Sequence, residues 1–283
     1  MPLAAITSQL PFSPEPPGGR VFAGTRAVRS TDVTPGGRFR FDALARALQD
    51  VAEDDVAEAS WQAPYGWLLR RCAVTVHGYP QFGTPLTLRT FCSATGPRWA
   101  QRTTTVAGPG GPLIQAVAIW AAVGLTSGAP VPLGDEFFRH YGEATQGRKA
   151  SARLSLPKPD AGTPGRDWPL RAADFDTAGH VNNTIAWAAV EDVLAAGDWL
   201  PADLPSAGDW LPAQAELEYH RPMLPGGQPR LLVRADDHGD DREVFLWLTD
   251  GAERLVSGRL YSPPSRPANP ANPANPDYDM APR

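Results

Sequence analysis

Two stretches of this chain repeat one another at a fixed spacing, and that repeat limits the fold more than any other feature. The segment RSTDVTPGGRFRFDALARALQDVAE, beginning at Arg29, aligns without a gap on RAADFDTAGHVNNTIAWAAVEDVLA, beginning at Arg171, an offset of 142 residues. Arg29 meets Arg171, Asp32 meets Asp174, Gly37 meets Gly179, and Asp50 and Val51 meet Asp192 and Val193. At the same offset Tyr79–Pro80 meets Arg221–Pro222, and one inserted residue later Gly83 meets Gly226. Chance identities do not hold one register across separated blocks, so the chain reads as a duplication. Its fold must be one that a unit of about 120 residues can adopt twice, each copy covering what the other leaves exposed.

Each copy has the same order of elements. A polar loop leads into a helix, with Phe41, Leu44, Leu48 and Val51 on one face in the first copy. Ile185, Ala189, Val193 and Ala196 do the same in the second, with Gly197 as its stop. The spacing predicts helices over 41–57 and 183–196. The second is apolar nearly all round apart from Glu191 and Asp192, as a helix buried on most sides would be. Four strand-like runs separated by Gly- and Pro-rich turns follow each helix, ending in PLIQAVAIWAAV in one copy and ERLVSGRLYS in the other. One buried helix and one antiparallel sheet make an α+β unit. A sheet curled round a single helix is the hot-dog arrangement, here in tandem. The exposed edge of each sheet is expected to pair with the other into one extended sheet. The boundaries read as a disordered leader over 1–19, a first unit over 20–145, a linker over 146–165, a second unit over 166–262 and a disordered Pro/Ala/Asn-rich tail over 263–283.

Composition removes several function classes. A net charge of −5 gives no general case for nucleic acid. No apolar run approaches the roughly 20 residues that span a bilayer, and the Pro-broken N-terminus is not a signal peptide, so a cytoplasmic location is expected. The two cysteines, Cys72 and Cys92, have no metal-type spacing and sit in strand-like runs, where small core residues belong. No metal or redox cofactor is implied. His77, His140, His220 and His238 have no convergent partners in sequence and read as surface or packing residues.

The loop DFDTAGHVNN, residues 174–183, gathers acids, a histidine and two asparagines just before the second helix. It resembles the active-site loop of hot-dog thioesterases, and the tandem arrangement resembles acyl-acyl-carrier-protein thioesterases. FDALARALQDVAED, HGYPQFGTPLTLRTF and ELEYHRPMLPGG look like that family's first helix, the strand pair after it and a second-copy strand. The likeness runs over roughly residues 24–262. It implies hydrolysis of the thioester between a fatty acyl chain and the phosphopantetheine of acyl carrier protein (ACP). It carries over two catalytic positions, Asp176 and His180. It also shows departures: Ala178 stands where plant members have asparagine, and Pro222 and Met223 stand where they have Glu-Cys. DTAGH looks more like the loop of single hot-dog acyl-CoA thioesterases, so an acyl-CoA substrate is an alternative, as is a non-catalytic acyl-binding protein.

The chemistry suits the residue types. A carboxylate at Asp176 can act as general base on water or attack directly. His180 can orient it or protonate the departing thiolate. The helix N-terminus, through Gly179, Val181, Asn182 and Asn183, offers backbone N–H groups to an oxyanion. Asn182, Asn183 and Thr184 also fit as helix caps, and Asp174, matched by Asp32, reads as structural. Thr34 and Arg38 occupy the positions of Asp176 and His180 in the first copy, so only the second copy keeps both titratable groups. Arg20, Arg26, Arg29, Arg38 and Arg40 crowd a stretch with one acid, Asp32, and are candidates for docking an acidic carrier. A homodimer is possible on sequence alone.

Overall fold

The computed structural model describes residues 10–195, 210–238 and 241–263. The first unit contains β1 (Phe22–Ala27), α1 (Phe41–Glu58), β2 (Gly66–Val76), β3 (Pro85–Thr95), β4 (Trp99–Gly108), β5 (Gly111–Val123) and α2 (Gly134–Tyr141). The second contains β6 (Gly165–Asp167), α3 (Ala186–Leu194), β7 (Gln214–Tyr219), β8 (Arg230–His238), β9 (Asp241–Asp250) and β10 (Glu253–Ser262). The ten strands form one sheet in the order β1-β3-β4-β5-β2-β7-β10-β9-β8-β6. That order reads the same from either end once the two copies are equated: β2 with β7, β5 with β10, β4 with β9, β3 with β8 and β1 with β6. The duplication therefore appears as a pseudo-dyad. The expected edge-to-edge pairing is the antiparallel β2–β7 seam, from Arg71 opposite Glu218 to Thr75 opposite Gln214.

Alternation along the strands puts Cys72, Val74, Val76, Leu86, Leu88, Leu217, Leu246 and Leu260 on the face that holds α1 and α3. Phe41 from the start of α1 stacks on Trp187 of α3, with ring centroids 5.8 Å apart. The two helices thus share one core across the dyad.

The repeat is reproduced hydrogen bond by hydrogen bond. Residues 30–32 and 172–174 each form a short 3₁₀ turn. Val33 bridges Phe39 as Phe175 bridges Val181. Gly37 N–H donates to Thr34 O as Gly179 N–H donates to Asp176 O, and both glycines lie at positive φ, 82° and 74°. Only a residue without a Cβ takes that conformation cheaply, which is why glycine recurs there. Asp32 and Asp174 each accept the backbone N–H of the arginine three residues earlier, as a structural role requires.

Two boundaries differ from the sequence reading. Residues 10–19 are not a free leader: Leu10 is buried against Ala73, Val117 and Ile119 on the sheet's outer face, beside Phe12, and Glu15 pairs with Arg89 at 2.6 Å. The leader's residues 1–9, the tail beyond Pro263 and the expected helix stop at Ala196–Gly197 lie outside the described residues. The segment 146–165 does connect the units, but as a strap: Lys149 bridges Thr95, and the N–H groups of Ser155 and Leu156 donate to Glu218 at 2.6 and 3.0 Å. The second helix also starts later than expected, because Asn183–Ile185 forms a 3₁₀ turn before α3. β1, β6 and α2 are additional to the expected elements.

Candidate active site

The loop before α3 is folded by its own polar groups. Asp176 N–H donates to His180 O at 2.8 Å. One carboxylate oxygen, Oδ1, accepts from Ala178 N at 2.9 Å and His180 N at 3.3 Å. Asp176 Oδ2 makes no hydrogen bond among the described residues. Asn182 caps the helical segment by accepting from Thr184 N at 2.9 Å. His180 is exposed.

These bonds narrow the set of expected oxyanion donors. Gly179 N–H is spent on Asp176 O, Val181 N–H on Met223 O and Asn182 N–H on Asp174 O. Asn183 alone of the four keeps a backbone N–H without a hydrogen bond among the described residues. Met223 thereby has a role of its own: its buried side chain and its carbonyl fix the loop.

Asp176, Asn182 and Asn183 line a cavity of about 800 Å³. Its body lies in the first unit, between α1 and the sheet. Gln49, Glu53 and Val56 of α1 line it, as do Trp67 and Trp120 of the sheet and Trp61, Phe137 and Tyr141, whose rings pack on one another. The volume suits a sizeable organic ligand. His180 is not among the residues lining it. Trp67 comes from β2 and Trp120 from β5. Trp61, Phe137 and Tyr141 were not singled out, although Phe137 and Tyr141 four residues apart on α2 is a readable pattern. Cys92 also lines the cavity, but burial pushes its thiol up to about 12, as it does that of Cys72. Neither is a nucleophile at neutral pH.

The matching site in the first copy is filled by protein. Arg38, at the His180 position, binds Glu191 of α3 through two hydrogen bonds of 3.1 and 2.6 Å. The same Glu191 accepts the N–H of Phe41, the residue matching Asn183, at 2.7 Å. A carboxylate thus sits at the N-terminus of α1, where backbone dipoles favour negative charge. Both side chains are mostly buried, so Glu191→Ala strands Arg38 and an unpaired N–H. It is expected to destabilise the fold by about 2–3 kcal/mol in urea unfolding, with the turnover number nearly unchanged.

Residues 19–141 match the family model described as the acyl-ACP thioesterase N-terminal domain. Residues 19–141 thus carry an acyl-ACP thioesterase N-terminal domain. An uncharacterized protein of Mycobacterium tuberculosis strain H37Rv is 27% identical over 226 residues, covering 80% of this chain and 86% of its own length. The 12:0-ACP thioesterase from Umbellularia californica superposes with a TM-score of 0.70 at 20% identity, covering 86% of this chain and 97% of that one. An acyl-ACP thioesterase from Bacteroides thetaiotaomicron gives 0.68 at 16%, covering 86% and 98%. These two likenesses show the shared tandem fold. With an acyl-ACP thioesterase domain over residues 19–141, the chain is a thiolester hydrolase. Among the described residues no helix is long and apolar enough to cross a membrane.

The five arginines picked out for carrier docking in this thioesterase do not form one free patch. Arg20 pairs with buried Asp55, Arg26 with Asp32, Arg38 with Glu191 and Arg40 with Asp42. Arg29 alone of the five is exposed without an ion pair among the described residues.

Proposed function

We propose that the chain releases a free fatty acid from an acyl thioester carried on ACP, in the cytoplasm and as part of fatty acid synthesis. The acyl chain occupies the first-unit cavity and the thioester carbonyl lies at the second-copy loop. The observation that supports this is the meeting, at one cavity, of an unspent carboxylate oxygen on Asp176 and the unbonded N–H of Asn183. Water attacks the carbonyl carbon and gives a proton to Asp176 Oδ2, while the negative oxygen that forms is held by Asn183 N–H. The C–S bond then breaks, and the departing thiolate takes up a proton from Asp176 or from the exposed His180 on the same turn. The products are a carboxylic acid and a thiol, with no oxidant or reductant needed. The experiment is thiol release from a panel of acyl-ACP and acyl-CoA substrates of graded chain length. Faster turnover on ACP is expected; faster turnover on CoA assigns the carrier the other way, and tight binding without turnover on either defeats the hydrolase reading.

Docking of the acidic carrier falls to Arg29, because its four neighbours are committed to internal carboxylates. Arg29→Glu is expected to raise the KM for acyl-ACP by about 3- to 10-fold at low salt, spare acyl-CoA, and lose its effect as salt screens the charge. An equal effect on both carriers, or none, counts against docking at that residue.

A further inference from the structure

The filled first-copy site is an internal map of the open one. At the offset of 142, Phe41 maps to Asn183, Arg38 to His180 and Glu191 to Gln49. Glu191 reaches across the dyad from α3 to the N-terminus of α1. Gln49 therefore stands on α1 in the place that faces the N-terminus of the second-copy helical segment, and it does line the cavity beside Asn183 and Asp176. Where the first copy has a carboxylate seated on the helix N–H, the second has a neutral amide, and the N–H of Asn183 remains open.

We infer that Gln49 is a further catalytic residue of the second-copy site, supplied by the other unit, and that its side-chain oxygen holds the attacking water. The inference rests on the hydrolase reading above and adds to it the second partner of the water. The amide's orientation follows from its neighbour. Gln49 Nε2 donates to Glu53 Oε1 at 3.0 Å, and an ionised carboxylate can only accept, so the NH₂ group must be the side facing Glu53. The remaining group, Oε1, is a pure acceptor. A water between Gln49 Oε1 and Asp176 Oδ2 gives one hydrogen to each and keeps a lone pair for the thioester carbon. The carbonyl oxygen then points to Asn183 N–H. On attack the new C–O bond forms, the proton facing Asp176 moves to its carboxylate, and the proton facing Gln49 stays on oxygen. Gln49 orients and takes no proton. The arrangement also explains why one copy is silent: its corresponding position, Glu191, fills the place of the oxyanion.

The test is Gln49→Met, which keeps similar reach and loses the acceptor, with Gln49→Ala beside it. Gln49 is only half-buried, so neither substitution opens the core. Both variants are expected to lose about 10- to 100-fold in kcat with KM within a few-fold of wild type and an unchanged thermal midpoint. Added hydroxylamine, a stronger nucleophile that yields the hydroxamate, should take a larger share of the product in the variants than in wild type. A merely structural defect lowers acid and hydroxamate together. Wild-type-like kcat in both folded variants overturns the inference, as does an unchanged product ratio. If the wild type is active and Asp176→Asn is dead while Gln49→Met is normal, this inference alone fails. If the wild type hydrolyses none of the panel, the hydrolase reading fails and takes this one with it.

Discussion

Asp176→Asn should lower turnover of a good acyl thioester by about 100-fold or more while leaving the fold intact. The amide keeps the shape of the carboxylate, and its oxygen can still accept from Ala178 N and His180 N, the two bonds that hold the turn. What it loses is the basic charge on Oδ2, the atom free to take a proton from water. The loss is expected in kcat, because most of the cavity lining belongs to the first unit and is left unchanged by the substitution. His180→Ala is expected to cost less, since its imidazole does not line the cavity. Thr34→Ala, at the Asp176 position of the first copy, should stay within a few-fold of wild type. The asymmetry is the sharp result. A folded Asp176→Asn variant with near-normal kcat sinks the general-base role, and equal damage from Thr34→Ala sinks the assignment of chemistry to the second copy.

The fold was legible because two signals agreed. A repeat at a constant offset fixes the number of units, and helical and strand periodicities fix the layers within each. The periodicities placed α1 and the eight long strands to within a few residues. The misses share a physical cause. β6 has three residues and α2 eight, too few for a period to show. Residues 10–19 are rich in proline and glycine, which argues against regular structure but not against packing. Leu10 and Phe12 are enough to hold an extended chain to the sheet. The strap after α2 is held by groups far away in sequence, among them the buried carboxylate of Glu218, more than sixty residues on, and the indole N–H of Trp247, which donates to Pro157 O. At the site, the loop and its titratable groups were visible in sequence. Which N–H stays open was not, because that depends on acceptors supplied from elsewhere, such as Met223 O for Val181. Gln49 was hidden for the same reason. On a helix it is an ordinary polar residue, and only the dyad shows what it faces.

The seam that joins the two units should be the most sensitive point in the fold. Arg71 lies in the middle of β2 on the sheet's outer face, opposite Glu218 and hydrogen-bonded to Glu216, and all three are buried. Glu218 spends both oxygens on Ser155 N and Leu156 N of the strap. Burial pushes the Glu216 carboxyl up, and the Arg71 guanidinium pulls it back down. Arg71→Leu removes the cation and leaves two acids in the seam without it. Breaking a buried pair from one side costs about 3–5 kcal/mol. At roughly 2–4 °C per kcal/mol for a chain of this size, the thermal midpoint at pH 7 should fall by about 6 °C or more. The pH dependence has a definite sign. A carboxyl whose folded pKa is raised favours the folded state below its unfolded pKa and weakens it as pH rises, so the variant's deficit should shrink as pH drops from 7 towards 5. Replacing Glu216 as well, in Arg71→Leu/Glu216→Leu, should recover part of the loss, since an apolar pair of similar volume serves a buried seam as well as an ionic one. A midpoint within 2 °C of wild type, or a deficit that grows on acidification, would show that the seam does not depend on this charge cluster. The kinetic consequence separates this residue from Asp176. The cavity is built mainly on one side of the seam and the reacting loop on the other. Arg71→Leu should therefore lose activity only as the protein unfolds, with kcat per folded molecule preserved at low temperature.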